Sequence, residues 1–140
     1  MSNDTDTGWA VAGAFLEAFA GRDFDALAQC LDPDIRFRAL IPPGAIDVTG
    51  VDDTVGRFRH WFGAETFELV DASVGRVGDR VALSWRVRTS PPGDPTVIRL
   101  VEQRMFAVAD DCIHSIDLLC SGFQPEQKPE QKPEQKENRS

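Results

Sequence analysis

The stretch "RVALSWRVRT", residues 80–89, alternates without a break, with Val81, Leu83, Trp85 and Val87 set against Ala82, Ser84, Arg86 and Arg88. Strand side chains point to opposite faces at period two, so this pattern predicts a half-buried strand with one covered face. The earlier part of the chain reads as helices that can cover it. "GWAVAGAFLEAFAG", preceded by Thr7, puts Trp9, Ala12, Phe15, Leu16 and Phe19 at helical spacing and stops at Gly21. Asp23 can cap a shorter helix, "FDALAQCL", with Phe24, Leu27, Cys30 and Leu31 on one face and Asp32-Pro33 as its end. A third helix starts at Asp52 or Asp53, carries Val55, Phe58, Trp61 and Phe62 at helical spacing, and ends at Gly63.

Between the second and third helices, "DIRFRALI" alternates as a strand, with Ile35, Phe37 and Ala39 on one side. "PPGAIDVTG" reads as a loop or a short hairpin return through Ile46 and Val48. After the third helix only strands are expected. "TFELVDASVGRV" turns at Gly78-Asp79 into "RVALSWRVRT", "SPPGDP" leads to "VIRLVEQRMFAV", and Asp110-Asp111 leads to "CIHSIDLLCSGF". Such short connections imply an antiparallel meander. Past Phe123 the text becomes "PEQKPEQKPEQKENRS", without an apolar residue. It cannot bury enough surface to offset its ordering entropy and is expected to be a disordered spacer or solubilising tail. One folded domain, residues 6–123, and a tail, 124–140, are expected.

Charge and cysteine usage narrow the function classes. The formal charge is -8, and the last seventeen residues hold four acids and four bases, so the folded part carries the whole excess. An acidic body repels phosphate backbones and anionic lipid, which argues against nucleic acid and membrane surfaces as partners. Cys30, Cys112 and Cys120 are odd in number, widely spaced and set in apolar runs. They read as reduced, buried thiols of a cytosolic protein, not as a disulfide framework or a metal site. "MSNDTDTG" has no signal-peptide pattern and no apolar run approaches the ~20 residues of a membrane span, so a cytoplasmic location is expected.

Glu102 and Arg104 interrupt an otherwise apolar strand. They share a face with Ile98, Leu100, Phe106 and Val108, while Val97, Arg99, Val101, Gln103, Met105 and Ala107 take the other. The bulkier face is assigned to the interior. Glu102 is then a candidate general base or acid and Arg104 an anchor for a carbonyl or carboxylate; the rival reading is a structural ion pair. His114, grouped by alternation with Ile116, Leu118 and Cys120, is a candidate acid–base partner of Glu102 or else an exposed side chain. The direction of His60 is left open. Phe15, Phe37, Phe58, Trp61, Trp85, Phe106 and Leu118 are the candidate lining of a pocket for an apolar or aromatic small molecule. With no glycine-rich phosphate loop, metal-ligand cluster or nucleophile elbow, no cofactor is implied.

The order of helix, helix, strand, loop, helix and long-strand meander resembles the nuclear transport factor 2-like superfamily. "FLEAFAGRDFDALAQCLDPDIRF" looks like its opening helical pair and first strand, and "VEQRMFAVADDCIHSIDLLCSGF" like its closing hairpin. The superfamily includes ketosteroid isomerases, SnoaL-like polyketide cyclases and limonene epoxide hydrolases. The resemblance implies an α+β cone-shaped roll, with N-terminal helices packed in a curved, mostly antiparallel sheet. It also implies an apolar ligand cavity and a homodimer through the outer sheet face. The implied activity is a cofactor-independent cyclase, isomerase or lyase acting on an apolar carbonyl compound; the alternative is a non-catalytic ligand-binding or protein-interaction module.

Position by position, the family's catalytic sets are not reproduced. The isomerases' tyrosine falls at Phe15, in a chain without tyrosine, and their aspartate base falls at Arg38 or Ala39. Their second oxyanion residue falls near Glu102 or Arg104. The epoxide hydrolases' arginine and first aspartate fall at Trp85 and Val87, and their last aspartate at Leu118 or Asp117.

Overall fold

The computed structural model describes residues 3–42, 44–63, 66–91, 93–94 and 96–125, with side chains from residue 8 onward. Helices α1 (Asn3–Ala20) and α2 (Phe24–Gln29) precede strands β1 (Leu31–Ile41) and β2 (Gly44–Thr49). Helix α3 (Val51–Phe62) follows, then β3 (Phe67–Val77), β4 (Arg80–Thr89), β5 (Arg99–Ala109), β6 (Ile113–Cys120) and the two-residue β7 (Gln124–Pro125). The strands form one curved, open sheet in the order β2-β1-β6-β5-β4-β3, with β7 added to β5. Every neighbouring pair is antiparallel except β1 and β6, which are parallel. The fold is the expected α+β cone. The expected disorder of the Pro-Glu-Gln-Lys repeats concerns residues 126–140, outside those described.

Local chemistry accounts for the boundaries. The Asp23 carboxylate accepts the Ala26 N–H at 3.0 Å and caps α2. That helix stops at Gln29, before the expected Leu31, because Leu31 already pairs with Ile113 of β6. A bulge between Leu31 and Arg36 absorbs Asp32-Pro33-Asp34, where the Asp34 N–H donates to Asp32 Oδ1 at 2.7 Å. Gly50 precedes α3 at φ 103, a conformation that side chains with a Cβ rarely adopt, and its carbonyl accepts both the N–H and the hydroxyl of Thr54. Asp52 and Asp53 open α3 while Arg59 and His60 close it, matching the helix dipole at both ends.

The concave face of the sheet holds the core. Phe37 and Ala39 of β1 register with Ile116 and Leu118 of β6; Ile116, Leu118 and Cys120 register with Ala107, Met105 and Gln103 of β5. These in turn register with Val81, Leu83 and Trp85 of β4. Against this face pack Ala12, Phe15 and Phe19 of α1, Leu27 of α2, and Phe58 and Phe62 of α3, all nearly or fully buried. Trp9, expected in the α1 stripe, is instead exposed, with the Arg76 guanidinium 5.6 Å from its ring. Among the described residues no helix is long and apolar enough to cross a membrane.

Candidate functional site

The register that builds the core also decides where the charges of β5 point. Val101, Gln103, Met105 and Ala107 face the helices, so Leu100, Glu102, Arg104, Phe106 and Val108 lie on the outer face. This corrects the expectation that the bulkier face lines a cavity: side-chain volume does not set parity, pairing with the buried face of β4 does. Glu102 is 66% exposed and its charged neighbour is Arg86, at 3.8 Å, not Arg104. Arg86 itself donates to Asp71 at 2.6 Å. Arg104 is exposed and forms no ion pair among the described residues. Phe106, half-buried, lies beside exposed Leu119 and Leu40 in a shallow outer groove of about 420 Å³. That outer face is the one expected to carry a homodimer contact.

The polar side chain that does enter the core from β5 is Gln103, which is 2% exposed. Its carbonyl accepts the Trp85 Nε1–H at 3.0 Å, and its amide donates to Cys120 Sγ at 3.3 Å. Both ends are committed within the fold, so the polar group that β5 sends into the interior is neutral and satisfied. Around it Phe15, Phe37, Phe58 and Trp85 are at most 1% exposed. The Phe58 ring lies 5.7 Å from Phe15, 5.6 Å from Phe37 and 6.5 Å from Trp85, with Phe19 stacked 4.3 Å from Trp85. Leu118 is also buried here. The inside of the cone is packed with rings.

The family's catalytic positions resolve in the same way. Phe15, at the tyrosine position, contacts Phe58 and Trp85. Of Arg38 and Ala39, Ala39 faces inward, and Arg38 faces outward and donates to Asp117 at 2.8 Å. Trp85, Val87 and Leu118 face inward, and Asp117 is held outside by Arg38 and Arg80.

Concave space opens instead at the mouth of the cone. A cleft of about 640 Å³ lies between the C-terminal half of α3, the β1–β2 hairpin, Ser90 just after β4, Arg99 at the start of β5, and Phe123 between β6 and β7. Ile41, Ile46, Trp61 and Phe123 supply apolar wall, and Arg57, Arg59, His60, Ser90 and Arg99 supply polar groups. Arg57 lies 5.7 Å from the Trp61 ring and Arg99 5.3 Å from the Phe123 ring. Of the expected pocket lining, Trp61 alone reaches this cleft. Arg57, Ser90, Arg99 and Phe123 were not anticipated; the sequence signal for the α3 members is the run Arg57, Arg59, His60 against the apolar stripe.

His114 lies at neither place. An irregularity between Val108–Ser115 and Ala109–Ile113 inserts it as an extra residue. It therefore leaves the face of Ile116, Leu118 and Cys120, which corrects the expectation that it approaches Glu102. Its Nδ1 lies 2.8 Å from Asp32 Oδ2 and its Nε2 2.8 Å from Asp110 Oδ1. Two carboxylates are both satisfied only by an imidazolium, which donates from each nitrogen. The hydrogen bond to Asp110 raises the His114 pKa above 6.5, against a smaller opposing effect of burial and with help from Asp32. Asp32 is held below 3.8 by the Asp34 N–H and then by His114; Asp110 is held below it by His114 and the Cys112 N–H. Burial, then the charge of Asp32, pushes the Cys112 thiol up. Ligand atoms of Asp32, Cys112 and His114 lie within 4.8 Å of one another. With both imidazole nitrogens engaged by carboxylates, the geometry is that of an ion-paired cluster.

The pH dependence follows from these directions. The raised His114 pKa gives stability that is full below 6.5 and lost as pH rises through the higher folded value. The lowered Asp32 and Asp110 values give stability present above 3.8 and lost as pH falls through the lower folded values. His114→Gln should therefore lower the melting temperature most near about pH 5 and progressively less as the pH rises beyond 6.5 through the raised folded value. A difference in melting temperature that does not vary with pH would contradict the ion-paired cluster.

The sequence matches the SnoaL-like domain over residues 12–115. No curated relative matches it. Among solved structures, the fold is similar to that of a candidate polyketide cyclase from Xanthomonas campestris, at 20% identity and a TM-score of 0.64, covering 84% of this chain and 92% of that one. It is similar to an LEH-like epoxide hydrolase from M. tuberculosis, at 19% identity and a TM-score of 0.62, covering 86% of each chain. It is similar also to an NTF-2 like protein of unknown function from Burkholderia xenovorans, at 16% identity and a TM-score of 0.61, covering 95% of each chain. At such identities the structural likeness shows the fold. The sequence match, which spans the second half of α1 through the start of β6, shows the family: the chain belongs to the SnoaL-like domain family, on a nuclear transport factor 2-like fold.

Proposed function

We propose that the protein binds a small, largely apolar molecule in the cleft at the mouth of the cone, and that binding there, in place of acid–base chemistry in the interior, is its role. One observation carries this reading: ring packing fills the interior, while a cleft of about 640 Å³ with Trp61, Phe123, Ile41 and Ile46 in its wall lies open beside it. A concave, mostly apolar site with a few polar groups is the form small-molecule sites take. The polar side chain that β5 sends into the interior, Gln103, is neutral and already bonded to Trp85. The enzymatic reading, a cofactor-independent cyclase, isomerase or lyase on an apolar carbonyl compound, has one specific support, the exposed His60 imidazole at the rim of the same cleft.

Ile46 is half-buried in β2 at the edge of the core and lines the cleft, so Ile46→Arg plugs it; a thermal melt establishes that the variant folds. With 2-naphthamide as an apolar probe in isothermal titration, wild type should bind and the variant should lose about tenfold or more in affinity. Equal binding by both proteins would remove the cleft as the site.

A further inference from the structure

We infer that the ligand of the mouth cleft is an organic acid, whose carboxylate sits on Arg57, Arg99 and Ser90 while its apolar body lies against Trp61 and Phe123. The inference rests on the cleft being the binding site and adds the charge of what fills it.

Three buried side-chain polar atoms lack a hydrogen-bond partner among the described residues: Arg57 Nε, Ser90 Oγ and Arg99 Nε. All three belong to residues lining this one cleft. Ser90 is 2% exposed, so water does not readily replace the missing partner. Buried polar groups in native folds are almost always satisfied, and an unmet set carried by residues of one cavity wall points to a ligand that meets it.

Charge argues for an anion. Acids outnumber bases 23 to 15 in this chain, and Arg36, Arg38, Arg80 and Arg86 each hold an aspartate within 3.0 Å. Arg57 and Arg99 have no such partner among the described residues, and no acidic residue is among those lining the cleft. Each guanidinium is oriented instead by the aromatic ring beneath it, Trp61 or Phe123. Stacking uses the flat face and leaves the planar edge of N–H donors free, the edge that matches a carboxylate. Two such forks and a hydroxyl in the lining of one cleft, with aromatic rings alongside, fit a carboxylate joined to an apolar or aromatic body better than a free inorganic ion.

The test pairs 2-naphthoate with its neutral counterpart, 2-naphthamide, by isothermal titration into the full chain and into Arg57→Gln, Arg99→Gln and Ser90→Ala. Thermal melts establish that each variant folds; if Arg99→Gln does not, Arg99→Lys keeps the charge and removes the fork. Wild type should bind the acid about tenfold or more tightly than the amide. Each arginine variant should lose about tenfold for the acid and little for the amide, with a smaller loss for Ser90→Ala. Equal affinity for acid and amide, or arginine variants that bind the acid as wild type does, would overturn the carboxylate assignment and leave the cleft standing as a neutral site. Failure of wild type to bind either probe would overturn the cleft itself.

Discussion

Phe58→Ala should lower the stability of the fold by about 3–5 kcal/mol, a third or more of what a domain of this size usually has. Phe58 is 0% exposed and is where the aromatic packing converges, with the rings of Phe15, Phe19, Phe37, Trp61 and Trp85 centred 5.6–6.5 Å from its own. Removing it takes away the transfer energy of a whole ring and leaves a hole that neighbours from α1, β1 and β4 are too constrained to fill. Urea denaturation followed by far-ultraviolet circular dichroism checks this, with the midpoint falling and the slope unchanged. A loss under about 1 kcal/mol would mean that the interior is loosely packed and can accommodate a ligand.

Gln103→Leu should cost about 1–3 kcal/mol although it makes the core more apolar, because it leaves the Trp85 Nε1–H buried without an acceptor. Trp85→Phe removes that donor and leaves the Gln103 carbonyl unmet in its turn. The double variant, with both polar partners gone, should therefore be less destabilised than the sum of the single variants. Strict additivity of the two, measured by the same denaturation, would show that the hydrogen bond contributes little and that Gln103 is free for other work.

The two charges of β5 show what the sequence makes legible and where it stops. The alternation in "RVALSWRVRT" places Val81, Leu83, Trp85 and Val87 on the buried face, as found. That parity could not be carried into β5, because "SPPGDP" is longer than a two-residue turn and leaves the register open. On the other side of β5 the inserted His114 shifts the count by one, so parity was lost there too. By contrast, the Gly78-Asp79 turn joins Val77 directly to Arg80, with Gly78 at φ 61, and the hairpin it sets keeps one register back to Asp71, where an irregularity shifts it.

The helices were legible in their apolar stripes, and Phe15, Phe19, Phe58 and Phe62 are buried as their spacing implies. Long-range geometry was not. Asp32 and His114 are eighty-two residues apart and meet because β1 runs parallel to β6, a pairing that no local pattern encodes. The mouth cleft is likewise assembled from five separated places in the chain, the β1–β2 hairpin, α3, the end of β4, the start of β5 and Phe123 after β6. Arg57, Ser90 and Arg99 share nothing in sequence that marks them as a group. What unites them is a buried side-chain polar atom without a hydrogen-bond partner among the described residues, visible once the fold has brought them to one cavity.

The central claim is that a ligand sits at the mouth and not inside the cone. Methyl-labelled protein titrated with 2-naphthoate tests it most directly, because Ile41 and Ile46 line the cleft while Met105 and Ile116 are fully buried under the helices. The Ile41 and Ile46 methyl resonances should move with saturating probe while those of Met105 and Ile116 stay in place. The largest shifts falling on Met105 and Ile116 would put the ligand inside the cone and contradict the account.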